Sequence, residues 1–256
     1  MCVYFITVKN LLKNRISIKE IIIFDAMKQI INRSNSLINN EMNLFLSHLT
    51  EEELGIYCKH RVELKFKKGQ DICKQGSFAN HVFYLKEGLV KLYTEGDKKN
   101  IILSVYKPPV YVGLLSLFGE NFYQFSLSAL EDSKVCLIEL DWFKKLITLN
   151  GNFGLEVITY LSQSANYILH NKIKMGQKQM RGKVASVVLF FYRNIFEKLD
   201  FTLPITRKEM AEFAGLSTEN LITALSEFRK DKLIEVDGKK INILNAAGLE
   251  EISNHY

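Results

Sequence analysis

The sequence predicts an α+β chain in three parts: an all-β barrel or sandwich, a long helix, and a small C-terminal unit of two short helices and a hairpin. Three observations carry this. From Val62 to Leu140, short runs rich in Val, Ile, Phe and Tyr are separated by Gly69, Gly76, Gly88, Gly96, Gly113 and Gly119, a spacing suited to strands joined by turns. Near residue 142 the texture changes: glycine becomes sparse and the apolar period lengthens towards that of a helix. From Thr206 to Leu225, two capping signals flank a single glycine.

Residues 1–41 mix Asn, Lys and Ile around an amphipathic helix expected over Ser17–Ile31, and they read as an N-terminal extension of unknown role. Met27 and Met42 are alternative natural starts. Residues 42–150 form the expected β domain. Its strands include Val82–Leu85, Leu89–Tyr93, Ile101–Val105 and Val135–Ile138. Residues 151–175 form the long helix. Within Phe153–Lys174, Ile158, Leu161, Ala165 and Ile168 step by three and four and draw one stripe. That stripe packs either on the chain's own barrel or on a second copy of itself. After Gly182 a further apolar helix is expected over Val184–Phe196, broken by Leu203-Pro204, and residues 176–256 form the last domain.

Composition narrows the function. At 256 residues, 47% hydrophobic and 24% charged, with three prolines, the chain is neither disordered nor a disulfide scaffold. No apolar run reaches the roughly 18 residues of a membrane span, and no secretory signal opens the chain, so a cytoplasmic protein without a membrane partner is expected. Cys2, Cys58, Cys73 and Cys136 stand far apart with no CxxC pair, which argues against a metal ribbon or redox motif. The net charge of +6 divides as +3, +2 and +1 over residues 1–50, 51–175 and 176–256. Charge therefore favours anionic partners without locating a surface. No catalytic signature is present, and no catalytic residue, metal or cofactor is expected.

Function concentrates in the last domain. Thr206 with Glu209 is a capping box, Ile205 and Met210 are its staple, and a helix should start at Arg207. Ser217 caps a second helix, and Gly215 supplies the turn. Ala211, Gly215 and Leu221 meet the demands of two closely crossing helices: small residue, turn glycine, inner aliphatic. Leu233–Val236 and Lys240–Leu244 flank an Asp237-Gly238 turn, a hairpin that serves as a wing. In such a winged helix the second helix enters the DNA major groove. Ser217, Thr218, Glu219, Asn220 and Thr223 stand at its leading edge. Glu219 can accept from cytosine N4, and Asn220 can pair with adenine. Arg207, Lys208, Arg229, Lys230, Lys239 and Lys240 are candidate phosphate contacts.

This order of parts resembles the Crp/Fnr family of bacterial transcription regulators. Phe66–Gly76 resembles the early strands of its cyclic-nucleotide-binding-like β-roll, Val82–Leu92 the strands that follow, and Ile205–Glu227 its helix-turn-helix. The resemblance implies a homodimer joined by the long helix, with Ile158, Leu161, Ala165 and Ile168 as the seam. It also implies a two-fold symmetric double-stranded DNA site and contact with RNA polymerase.

The departures shape the expectation. Cyclic-nucleotide-binding members place a glutamate after a glycine and an Arg-Ser or Arg-Thr pair at the phosphate. Here the segments are Gly113-Leu114-Leu115 and Gln124-Phe125-Ser126. A buried phosphate without a cation costs several kcal/mol, so neither cAMP nor cGMP is expected. These six residues remain a candidate pocket for an unknown, less polar small-molecule effector. Oxygen-sensing members use closely spaced amino-terminal cysteines, a pattern these four do not reproduce. Haem would need His48, His60, His81 or His170, none in a recognisable motif. In the recognition helix Glu219 matches the family, while Thr218 and Thr223 replace arginines. The reading in competition keeps the β domain as an effector- or protein-binding module whose winged helix makes protein contacts.

Overall fold

The computed structural model describes residues 45–97 and 99–255. The extension, with its expected helix Ser17–Ile31 and Cys2, lies outside the described residues. The strands are β1 (Arg61–Phe66), β2 (Asp71–Cys73), β3 (His81–Glu87), β4 (Val90–Thr94), β5 (Ile101–Tyr106), β6 (Val110–Val112), β7 (Ser126–Ala129) and β8 (Ser133–Glu139). They form two antiparallel four-stranded sheets, ordered β1-β8-β3-β6 and β2-β7-β4-β5. Every step along the chain from β1 to β8 except β4 to β5 changes sheet, the connectivity of a double-sheet roll.

Helix α1 (Glu51–Lys59) precedes the roll; α2 (Leu140–Leu149) and α3 (Gly151–Gln177) follow it. A capping box of Thr50 and Glu53 starts α1, and the Asn150 side chain accepts from the Phe153 N–H to start α3. All four residues Val82–Leu85 of β3 are buried, so the first sheet is covered on both faces at β3, while β1 at its edge is exposed. On its outer side Tyr84 and Tyr111 meet an aromatic cluster of Phe45, Phe143, Phe153 and Tyr160. Tyr160 Oη donates to the Tyr111 carbonyl at 2.5 Å. The first turns of α3 are thereby fixed on the roll.

The stripe predicted along α3 divides. Phe153, Val157 and Tyr160 are buried against the roll, and Leu161, Ala165 and Ile168 are half-buried. Leu155, Ile158, Leu169 and Ile173 are 52–62% exposed. At about 100° per residue, these four, with Ser162 and Ala165, form a band roughly opposite the packed face. Leu161 and Ile168 lie on the flank between the two. Two heptads of sequence did not separate the face laid on the barrel from the face turned away.

After α3 come α4 (Met180–Phe190), a π-helical turn (Phe191–Phe196), β9 (Asp200–Thr202), α5 (Arg207–Ala214), α6 (Thr218–Lys230), β10 (Ile234–Asp237), β11 (Lys240–Ile243) and α7 (Ala246–His255). Helix α4 starts two residues before Gly182, not after it, because Gly182 is a buried contact inside the helix. The wing holds a third strand that the sequence reading lacked: β9 pairs with β11, giving the order β10-β11-β9. One apolar cluster runs from Tyr93, Ile102 and Val105 in the roll to Val184, Phe213, Leu221 and Phe228 in the C-terminal head.

Candidate nucleic-acid interface

Helix α5 begins as the sequence demanded. Glu209 N–H donates to Thr206 Oγ1 at 3.2 Å, and Thr206 N–H donates to Glu209 Oε2 at 2.7 Å. It ends on Gly215, whose φ of +68° is the left-handed conformation that glycine accepts without strain. There Leu216 N–H reaches the Ala211 carbonyl and Gly215 N–H the Glu212 carbonyl, a Schellman closure. The chain reverses within three residues, and Asn220 N–H donates to Ser217 Oγ at 3.2 Å to start α6.

Leu221, Ala224, Leu225 and Phe228 turn inward and pack on Ala211, Phe213 and Ala214. This leaves Glu219, Asn220, Ile222, Thr223, Ser226, Arg229 and Lys230 exposed. Thr223 Oγ1 donates to the Glu219 carbonyl at 3.0 Å. Glu219 is held below the usual carboxylate range, first by its own backbone N–H and then by Ser217, so it is an acceptor at neutral pH.

The wing turn differs by one residue from the predicted Asp237-Gly238 pair. Asp237 pairs with Lys240, so Gly238 and Lys239 are the central residues. Gly238 alone has positive φ (+53°), the pattern of a II′ hairpin.

Among the candidate phosphate contacts, Lys208, Arg229, Lys230 and Lys239 are exposed. Arg207 is half-buried and donates to the Gly238 carbonyl, tying α5 to the wing, and Lys240 pairs with Asp200 at 3.2 Å. Their structural partners were invisible in the sequence because both stand some thirty to forty residues away and are reached only in the folded wing, Gly238 being 31 residues from Arg207. Sequence reasoning also passed over Ile222 and Ser226. Their signal was available: they stand three and seven residues after Glu219, on the same helical face.

Of the six residues expected to line an effector pocket, Gly113 and Phe125 meet each other, while Leu115 and Gln124 do not join them. Leu114 and Phe125 are buried, and Gly113 (φ +77°) begins the single 3-10 turn Leu114–Ser116. A Cβ on Gly113 would lie 2.1 Å from the Phe125 ring. Phe125 packs in turn on Tyr123, and Tyr123 on Phe83. Leu115 and Gln124 face solvent. Ser126 pairs with Tyr93 and Ser128 with Lys91, and paired residues share a face, so these four lie on the face of the sheet opposite Leu127 and Leu92. Ser126 Oγ donates to Glu95 at 2.6 Å and accepts from the Gln75 N–H at 2.9 Å. Gln124 and Phe125 precede β7, which begins at Ser126.

Family comparison settles the identity of the two parts. The family model of the cyclic nucleotide-binding domain matches residues 63–150, and that of the Crp-like helix-turn-helix domain matches residues 182–252. The chain belongs to the Crp/Fnr family. This Crp/Fnr chain is 25% identical over 189 residues to the transcriptional activator protein FnrA of Stutzerimonas stutzeri, covering 72% of this chain and 77% of that one. It is 26% identical over 194 residues to the fumarate and nitrate reduction regulatory protein of Vibrio cholerae (73% and 76%). In fold it is similar to a Crp/Fnr-family regulator of Eubacterium rectale, with TM-score 0.71, 18% identity, and 82% and 97% of the two chains covered. It is also similar to FixK2 of Bradyrhizobium japonicum, with TM-score 0.67, 18% identity, and 75% and 96% covered. This chain is a transcription regulator with a helix-turn-helix DNA-binding domain.

Among the described residues no three His, Cys, Asp or Glu side chains converge as a metal site. Cys58 is exposed on α1, Cys73 is buried on β2, and Cys136 is buried on β8. Burial pushes the Cys73 thiol up to about 12, which makes it inert as a thiolate. His48, His60 and His81 are engaged by Glu156, Glu139 and Asn80. No helix among the described residues is long and apolar enough to cross a membrane.

Roll and head meet at α5. The Lys91 ammonium lies over the Tyr93 ring at 4.9 Å and pairs with Glu209 Oε1, while Oε2 of the same carboxylate serves the α5 cap. Desolvation opposes ionisation of Glu209, but the Lys91 and Thr206 bonds together hold it below the carboxylate range. Glu212, one turn on, is only 7% exposed, and burial raises its carboxyl although the Asn100 N–H donates to it.

Proposed function

We propose that this regulator works as a homodimer that reads a two-fold symmetric duplex through α6, and that its roll takes neither cAMP nor cGMP. The exposed band of Leu155, Ile158, Leu169 and Ile173 carries the dimer reading. Four large aliphatic side chains on one helix face turned away from the roll are covered most simply by the same face of a second copy, with Ser162 and Ala165 allowing close approach at the centre. Ala165 and Ile158 of the expected seam stay in it; Leu161 and Ile168 flank it.

Glu219, Asn220 and Thr223 are the base readers, with Ser217 and Thr218 at the entering end. Arg229 and Lys239, with Lys208 and Lys230, contact phosphates. Arg207 and Lys240 act through the wing they brace. The half-sites lie about one helical turn apart. Acting on transcription, the dimer works in the cytoplasm beside RNA polymerase.

The Phe125 ring against Gly113, and a segment from Gly113 to Ser126 that holds no Lys or Arg, support the exclusion of cyclic nucleotides. An effector of the roll, if one acts, is an apolar or weakly polar molecule that displaces Phe125.

The test has three arms. Sedimentation equilibrium of the full chain should give a dimer, and Leu169→Asp a monomer; a wild-type monomer overturns the seam. Selection of genomic fragments by the purified chain should return a palindrome, which Glu219→Ala with Thr223→Ala abolishes. An unchanged site preference would remove α6 as the reader. Calorimetry with cAMP and cGMP should register no heat, and saturable binding of either overturns the exclusion.

A further inference from the structure

One apolar side chain of α6 is left in solvent by the fold. Leu221, Ala224, Leu225 and Phe228 are all within the head's core, whereas Ile222 is 53% exposed. Nothing among the described residues covers the isoleucine there. A β-branched residue is a weaker helix former than the straight-chain alternatives, and at an exposed position it gains no core packing in return. The other solvent-facing side chains of the first turns, Glu219, Asn220, Thr223 and Ser226, are all polar.

Its position defines what can cover it. Ile222 stands three residues after Glu219 and four before Ser226, so all three share one side of the helix. At 1.5 Å per residue it lies about 4.5 Å along the axis from Glu219, between one and two base-pair steps of about 3.4 Å. It is thus continuous with the reading surface rather than with the roll, the wing or the α3 band. The floor of the major groove is made of donors and acceptors, with a single apolar group: the C5-methyl of thymine.

We infer that Ile222 is a specificity-determining residue that reads thymine, packing its branched side chain on a thymine methyl. The thymine lies at a base pair neighbouring the one whose cytosine N4 donates to Glu219. The inference rests on the assignment of α6 as the DNA reader. It also explains how α6 discriminates without an arginine at its leading edge: a carboxylate that rejects acceptor-rich edges is set beside an aliphatic contact that selects a methyl.

The experiment uses the full chain and the palindrome that genomic selection returns. Each thymine of the half-site is replaced in turn, symmetrically, by 2′-deoxyuridine, which removes the methyl and leaves every hydrogen-bonding group. At one position the wild type should lose about three- to tenfold in affinity per half-site, the worth of about one buried methyl group. Ile222→Ala should show a similar loss on the thymine duplex and no further loss on the deoxyuridine duplex. Alanine at an exposed helical position keeps the fold, and retained binding to the deoxyuridine duplex at the wild-type level verifies that in the same titration. Indifference of the wild type to deoxyuridine at every position overturns the inference, as does undiminished deoxyuridine sensitivity in Ile222→Ala. In both cases DNA reading itself survives. Recovery of no preferred sequence would overturn the reading of DNA by α6 together with this inference.

Discussion

At Gly113 a phenylalanine ring occupies the space a Cβ would need, and the neighbouring segment holds no cation. Along α6, by contrast, caps and turn are intact and Glu219, Asn220, Ile222 and Thr223 stand exposed with polar or apolar groups uncommitted to the core. In the roll an aromatic ring is packed onto a glycine, whereas along α6 the caps and the inward face of the helix leave its leading side chains turned to solvent. The two arrangements depend on different elements, so each can be altered without the other.

The largest effect should come from disturbing the packing at Gly113. Gly113→Ala forces a β-carbon against Phe125 at a positive φ, and should cost about 2–4 kcal/mol in urea unfolding. Adding Phe125→Ala to it should relieve the clash but not the backbone strain, so the double variant should be less unstable than the sum of the two singles. Strict additivity would show that the ring does not lie on the glycine.

Next is the joint between the two regions. Lys91→Met leaves the Glu209 carboxylate buried without its cation and should cost about 1–3 kcal/mol, accompanied by faster amide exchange in α5. If exchange speeds up in the roll alone, the joint does not act on the head. Smaller still, Ser217→Ala should destabilise by about 1 kcal/mol through the lost cap, read as a lower melting temperature with the roll's near-ultraviolet signal unchanged.

The smallest effect reverses sign. Burial raises the Glu212 carboxyl, so its contribution is complete below the unfolded carboxylate value and is lost as pH rises through the folded one. Glu212→Gln should therefore raise the melting temperature at pH 7, with the gain shrinking as the buffer is taken below about pH 4.5. Glu209, depressed, behaves oppositely: its stabilisation is present above the unfolded value and fades on acidification. A gain for Glu212→Gln that grows in acid would contradict the burial argument.

The contrast also governs what the sequence disclosed. Both caps, the turn at Gly215 and the buried face of α6 were legible because each depends on residues within a few positions of one another. The roll segment was half legible: the missing cation at Gln124-Phe125 could be read, but not that Phe125 lies against Gly113 while Ser126 bonds Glu95, since both contacts join segments distant in the chain. Arg207 and Lys240 looked like free cations because their partners, Gly238 and Asp200, reach them only once the wing has folded. The three-residue β9 has no periodicity to detect. Ile222 was overlooked because an apolar residue in a helix is ordinarily assigned to the core.

The shared apolar cluster of roll and head bears on how this protein can be divided. Tyr93, Ile102 and Val105 complete a core that Val184, Phe213 and Phe228 do not close by themselves. Cutting between Gln177 and Met180, where α3 gives way to α4, would free a head with a raw apolar flank and strip Glu209 of its cation. The DNA-reading part is therefore not an excisable cassette, and any descendant that exchanged its roll for another sensor would have had to inherit the outer face of β4 and β5 along with the head.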